Sequence, residues 1–224
     1  MNPLLPHYRH IVNPRLKHIY LTFDHRGELI IKSPRVSPKE IEKLLIKKAA
    51  WISRSRAKIL DKKGKPPEFR EGEEIFFLGS PFPLTLHQLS GEATELTFDE
   101  ERGFILRYEE YDTELFETLL DRFYKEKATE YLPPLIEKYS KKMQLFPAKV
   151  SFRKARKRWG SCSERNTISF NYLMMKLPCD TIAYIVVHEL AHIRHKHHQK
   201  SFWDLVEKTM PDYRKYEKEL KNYM

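Results

Sequence analysis

Residues 188–203 read HELAHIRHKHHQKSFW, and five of the chain's ten histidines stand in the first eleven of these positions. The preceding residues, CDTIAYIVV (179–187), have an apolar side made by Ile182, Ile185, Val186 and Leu190, so the segment is predicted to be helical, with Asp180 or Thr181 as its cap. On such a helix His188 and His192 lie one turn apart on one face. Two neutral imidazoles so placed can bind one tetrahedral ion at about 2.0–2.1 Å. Glu189 follows the first of them directly and is aimed beside the ion, where it can take a proton from a bound water. This is the H-E-x-x-H arrangement, whose chemistry is metal-assisted hydrolysis. Two histidines four apart also occur by chance. Here, however, the polar residues sit among core positions, and buried imidazoles and a carboxylate need partners that a metal supplies together.

A catalytic metal needs a third protein ligand and an open position. His195, His197 and His198 follow closely. His195 would lie on the same face of a continued helix, but about 10 Å along the axis from His188, a poor fit to a shared ion. His198 can return only if the helix ends near His195 to His197 and the chain turns, which histidine tolerates in a left-handed conformation better than most residues. Glu207, on the next predicted helix, is the alternative.

The whole chain bounds these readings. Its 224 residues suffice for one large domain or two small ones with a real core. Hydrophobic residues make up 41% and aromatic residues 12%, too many for a disordered chain. A net charge of +10 favours polyanionic partners without requiring them. Two cysteines, Cys162 and Cys179, without C-x-x-C spacing, read as a reducing compartment. The first residues lack a charged signal-peptide region, prolines break their apolar run, and no stretch approaches the ~20 apolar residues that span a bilayer. The expectation is a cytoplasmic protein with no membrane contact. Neither G-x-G-x-x-G nor a P-loop is present, so nucleotide chemistry would rest on a metal and on Arg or Lys.

Along the chain, 18–24 and 28–33 read as strands joined by a turn at Gly27, and 37–60 as a helix with Ser37 at its cap and Ile41, Leu44, Leu45, Lys48 and Ile52 near one face. The charged loop 61–74 is a candidate internal boundary. Four short strands follow, EIFFLG, PFPLTLH, TELTFD and GFILRYE, predicting an antiparallel meander or small barrel. From Thr113 the pattern is helical, with Pro133 and Pro134 expected to kink or interrupt it. The last third reads strand, loop, strand and two helices. The change of pattern near residue 110 divides the chain into a β-rich N-terminal part (1–110) and a C-terminal unit (111–224).

Five positive side chains fall between Arg153 and Arg158 in FRKARKRWGSCS (152–163). They read as the charged face of an edge strand or as a phosphate or nucleic-acid contact. ISFNY (168–172) alternates like a strand whose edge could pair with an extended peptide. Cys162 could join the metal or be a small loop residue beside it. Phe202 and Trp203 read as packing beneath the site, and Met210 as core filling.

Four blocks, RWGSCS (158–163), ISFN (168–171), VVHELAH (186–192) and HHQKSFW (197–203), together resemble the YgjP-like family of zinc metallopeptidases. That family, also described as metal-dependent hydrolases, is distantly related to the SprT-like and WLM metallopeptidases. The N-terminal strands, the Trp51 helix and GEEIFFLGSPFPL extend the similarity over nearly the whole chain. The resemblance implies His188, His192 and His198 as zinc ligands and Glu189 as general base. Where the family usually has Asn-His-Ser-Pro, this chain has His197-His198-Gln199-Lys200. Some members carry a UTP pyrophosphatase name, so the family leaves a nucleotide substrate open beside a peptide one.

The expectation is an α+β fold with a zincin-like (gluzincin-like) unit, an antiparallel sheet packed on the H-E-x-x-H helix, preceded by a small mixed N-terminal part. The function expected is that of a zinc-dependent hydrolase acting on peptides or proteins through a zinc-bound water activated by Glu189. The alternatives are a metal-dependent nucleoside triphosphate (UTP) pyrophosphatase and a basic nucleic-acid-associated module with structural zinc. A structural zinc has a closed shell of four residues, whereas three histidines beside a glutamate favour catalysis.

Overall fold

A computed structural model describes residues 6–23, 27–60 and 67–223, with the side chains of 58–60 left aside. The chain forms two compact units, Met1–Pro66 and Pro67–Met224. In the first, strands β1 (Tyr8–Val12), β2 (Tyr20–Phe23) and β3 (Leu29–Ser33) form a sheet in the order β1-β3-β2. β1 was not expected from its sequence; it lies parallel to β3, while β2 lies antiparallel. Helix α1 (Pro38–Leu60) starts where Ser37 Oγ accepts from the Glu40 N–H and Glu40 Oε2 accepts from the Ser37 N–H, a reciprocal cap. Ile41, Leu45 and Ile52 are buried with Leu29 and Ile31 of β3, whereas Lys48 is exposed. Residues 24–26 of the expected turn and 61–66 of the expected boundary loop lie outside the described residues.

The second unit begins with β4 (Glu74–Phe77), β5 (Ser80–Gln88), β6 (Glu95–Asp99) and β7 (Gly103–Tyr108). The expected antiparallel meander is corrected: the order is β4-β5-β7-β6, and β5 runs parallel to β7. Turn residues encode the two hairpins locally. Leu78 and Gly79 both take positive φ (49° and 85°), as a two-residue hairpin turn requires. Which strands then meet at the centre is a long-range choice that strand periodicity does not carry. These strands share one core with the helices that follow, Leu84, Phe104 and Leu106 clustering with Phe116, Leu120 and Tyr124.

Helix α2 (Thr113–Met143), capped by Asp112, runs uninterrupted through Pro133 and Pro134, against the expected break. An interior proline costs about 3 kcal/mol. Phe116, Leu119, Leu120, Tyr124, Leu132 and Ile136 are buried along it, at roughly 1.5–3 kcal/mol each, so tertiary packing outweighs the local penalty. β8 (Lys149–Arg153), β9 (Gly160–Cys162) and β10 (Thr167–Asn171) form a third sheet in the order β8-β10-β9. It is mixed rather than antiparallel, since β10 pairs parallel with β8 and antiparallel with β9. A 3-10 turn (Tyr172–Lys176) leads to α3 (Cys179–Arg194), then α4 (Lys200–Thr209) and α5 (Tyr213–Leu220). Among the described residues no helix is long and apolar enough to cross a membrane.

The positive charge is unevenly divided. Residues 1–66 hold 16 Lys and Arg against 5 Asp and Glu, and residues 67–224 hold 25 against 26. The basic run 153–158 therefore stands in a unit that is close to neutral as a whole and that holds 20 Lys and Arg against 26 Asp and Glu outside the run.

Candidate metal centre

Helix α3 is buried along most of its length, Ile182, Val186, Val187, Leu190 and Ala191 belonging to the core. Its start differs from the expected one. Pro178 occupies the cap position without a side-chain hydrogen bond, and the buried Thr181 hydroxyl instead donates to a Glu219 carboxylate oxygen. His188 and His192 project from one face, their ring centroids 5.0 Å apart.

The helix ends at Arg194. His195 is extended (φ −124°, ψ 100°), so the turn uses no left-handed residue. This reversal carries His198 back until its Nε2 lies 3.0 Å from His188 Nε2, and one nitrogen from each of His188, His192 and His198 lies within 4.8 Å of the others. His195 takes part through its backbone: its carbonyl accepts from His192 Nδ1–H at 3.0 Å. A carbonyl only accepts, so Nδ1 carries the proton and Nε2 keeps its lone pair. His197 and Glu207 are exposed and stand outside the cluster, as does Cys162.

Helix α4 supplies the floor. Phe202 is fully buried with its ring 5.0, 4.6 and 4.7 Å from those of His188, His192 and His198. Trp203 stacks on His198 and on Tyr213, and Tyr213 stacks on Tyr184. Tyr184 Oη is 3.5 Å from His188 Nδ1, at the outer limit of a hydrogen bond. Tyr184 escaped the sequence reading although it stands four residues before His188 on the same helical face.

Burial, then the neighbouring His192 and His198, push the pKa of His188 down to about 3, and burial lowers His192 as well. Both therefore present neutral imidazoles at neutral pH, the form that ligates a metal. Three imidazole nitrogens this close together fit an ion bound at about 2.0–2.1 Å, whose ligand atoms are spaced by roughly 3.4 Å.

Glu189 packs against Gly160 of β9 and is 6 % exposed. A β-carbon on Gly160 of β9 would lie 2.6 Å from its Oε1, while Oε2 is buried without a hydrogen-bond partner. Burial raises its pKa to about 7, and the positive charge of Arg158 opposes the rise. Lys196 braces the neighbouring turn, donating to Ser163 O and Asn166 Oδ1 and standing 3.9 Å from Cys162 Sγ. Burial raises the Cys162 thiol pKa against the pull of Lys196.

Two further expectations are corrected by the sheet order. β10, the strand of ISFNY, has neighbours on both sides and offers no free edge. Of the basic run only Arg153 lies on edge strand β8; the rest forms the loop from 154 to 159.

The model of the YgjP-like family, metallopeptidase domain, matches residues 17–223. No curated protein matches the sequence. Among solved structures, the metallopeptidase zymogen of Pyrococcus abyssi abylysin is similar at 28% identity and a TM-score of 0.36, covering 39% of this chain and 89% of its own.

Proposed function

Since the chain belongs to the YgjP-like family through its metallopeptidase domain, we propose that it is a zinc-dependent peptidase whose metal is held by His188, His192 and His198 and whose general base is Glu189. One observation carries this reading: three imidazole nitrogens converge, and the residue that follows the first of them is a buried glutamate with an oxygen, Oε2, that has no hydrogen-bond partner. Zinc in such a site polarises a scissile carbonyl and makes a water acidic enough to attack it at neutral pH.

The protein's own groups supply the rest. The His195 carbonyl orients the His192 ring and fixes its tautomer. Phe202 keeps the three rings in one packing arrangement and shields one side from water. Glu189, whose side chain is backed by Gly160, takes a proton from the attacking water and returns it to the leaving amine. Strand β9 pairs only with β10 among the described residues, so its outer edge can hold an extended peptide by main-chain hydrogen bonds.

The test is to offer the zinc-loaded full chain an unfolded polypeptide and, separately, nucleoside triphosphates. Cleavage of the polypeptide, lost on chelation and restored by zinc, is the expected result. Hydrolysis of triphosphates alone would overturn the peptidase reading.

A further inference from the structure

Between β8 and β9 the chain crosses the sheet as a basic loop held from below by Asn171 of β10, whose Nδ2 donates to Ala155 O at 2.8 Å and Arg158 O at 3.2 Å. A cavity of about 350 Å3 opens beside it, lined by Arg153, Arg156, Lys157, Arg158, Trp159 and Ser169 among others. Lys154 of this run is paired with Asp121. Among the described residues the other four cations, all exposed, have no salt bridge, and the charge of Arg158 acts on Glu189. Two of the lining residues also carry a buried polar atom without a hydrogen-bond partner, Trp159 Nε1 and Ser169 Oγ.

Guanidinium, ammonium and indole N–H groups can only donate, so most of this wall lacks acceptors. The four cations are exposed, and like charges held within six residues repel one another. One kind of ligand relieves that repulsion: an oxyanion. The local charge is not a by-product of composition, because five cations fall in six residues of a unit whose acidic residues slightly outnumber its basic ones.

We propose that this cavity is an oxyanion-binding subsite and that, resting on the peptidase reading above, the oxyanion is a carboxylate of the substrate, which makes acidic peptides the substrate class. Gly160 belongs to the cavity wall and also abuts Glu189, so the subsite and the reacting carboxyl meet at one residue of β9. A peptide laid along β9 advances about 3.3 Å per residue. An acidic side chain a few residues from the scissile bond can therefore reach the cavity. Free phosphate shares the chemistry and is the other source of such an anion.

The experiment uses the zinc-loaded full chain carrying Glu189→Gln, so that no cleavage intervenes, and titrates it with a blocked Glu-containing peptide, its Gln counterpart and inorganic phosphate. The Glu peptide is expected to bind at least ten-fold more tightly, phosphate to compete with it, and Arg156→Gln with Lys157→Gln to abolish the preference while zinc content stays unchanged. Equal binding of the two peptides, or a preference that survives the double substitution, would overturn the subsite. Binding of phosphate but not of the Glu peptide would overturn the substrate assignment. In the protein with Glu189 intact, equal cleavage of both peptides sinks the subsite and leaves the peptidase reading standing. Selective binding of the Glu peptide without any cleavage does the reverse.

Discussion

Gly160 and Glu189 are in contact so close that a β-carbon on Gly160 would lie 2.5 Å from Cγ of Glu189. No real side chain tolerates that distance, so the glycine is what lets β9 close over the carboxyl group. Gly160→Ala is expected to displace Glu189 or the strand and to lower peptide hydrolysis ten-fold or more. Bound zinc should persist, because the cluster of three histidines does not include Glu189. Metal content and hydrolysis rate measured on the same preparation check this; loss of zinc together with activity would mean that the strand also supports the ligands.

Glu189→Gln keeps the volume of the side chain and removes its basicity. Hydrolysis is expected to fall by ~10² or more, the usual worth of a positioned base, with about one zinc per chain retained. Full activity in this variant would remove Glu189 from the mechanism.

Chelator titration of three alanine variants separates the histidines that follow α3. His198→Ala should lose zinc affinity by orders of magnitude. His197→Ala should behave like wild type, since its side chain is exposed outside the cluster. His195→Ala should also stay near wild type, because its carbonyl, not its ring, holds His192. A collapse in His197→Ala with His198→Ala intact would reassign the third ligand.

Phe202→Ala removes a fully buried ring that touches all three imidazoles. Large-to-small core changes of this kind cost about 3–5 kcal/mol, and zinc affinity should fall with stability. Phe202→Leu, which refills most of the space, should recover most of both. Denaturant unfolding and chelator competition report the two effects separately.

Lys176 is buried, and burial lowers its pKa from 10.5 to about 8 against the opposing charge of Asp121. Between those values the unfolded chain binds more protons than the folded one, so this group's contribution to stability rises as pH increases from about 8 toward 10.5. The shift corresponds to roughly 3 kcal/mol over the window. Lys176→Met lacks the titration, so the stability of wild type relative to the variant should increase by that order between pH 7.5 and 10. A pH-independent difference in urea unfolding would show that Lys176 is neutral in neither state.

Short-range patterning determined much of this protein from its sequence alone. The 3.6-residue period of CDTIAYIVVHELAH placed His188 and His192 on one face, Ser37 marked the start of α1, and EIFFLG, PFPLTLH, TELTFD and GFILRYE marked four strands. Each depends on residues within a turn or two of one another. The tertiary structure decided what lies farther apart. It joined β5 to β7 in parallel, put β10 in the middle of its sheet, and carried α2 through two prolines because the buried face outweighs their local cost. The approach of His198 to His188 depends on an extended His195 and on Phe202 packing below, and no periodicity spans that reversal. Nor does any local signal reveal that Gly160, twenty-nine positions before Glu189, must lack a side chain. That requirement arises only when a strand and a helix pack, and contact between distant segments is written in the whole core rather than in either stretch.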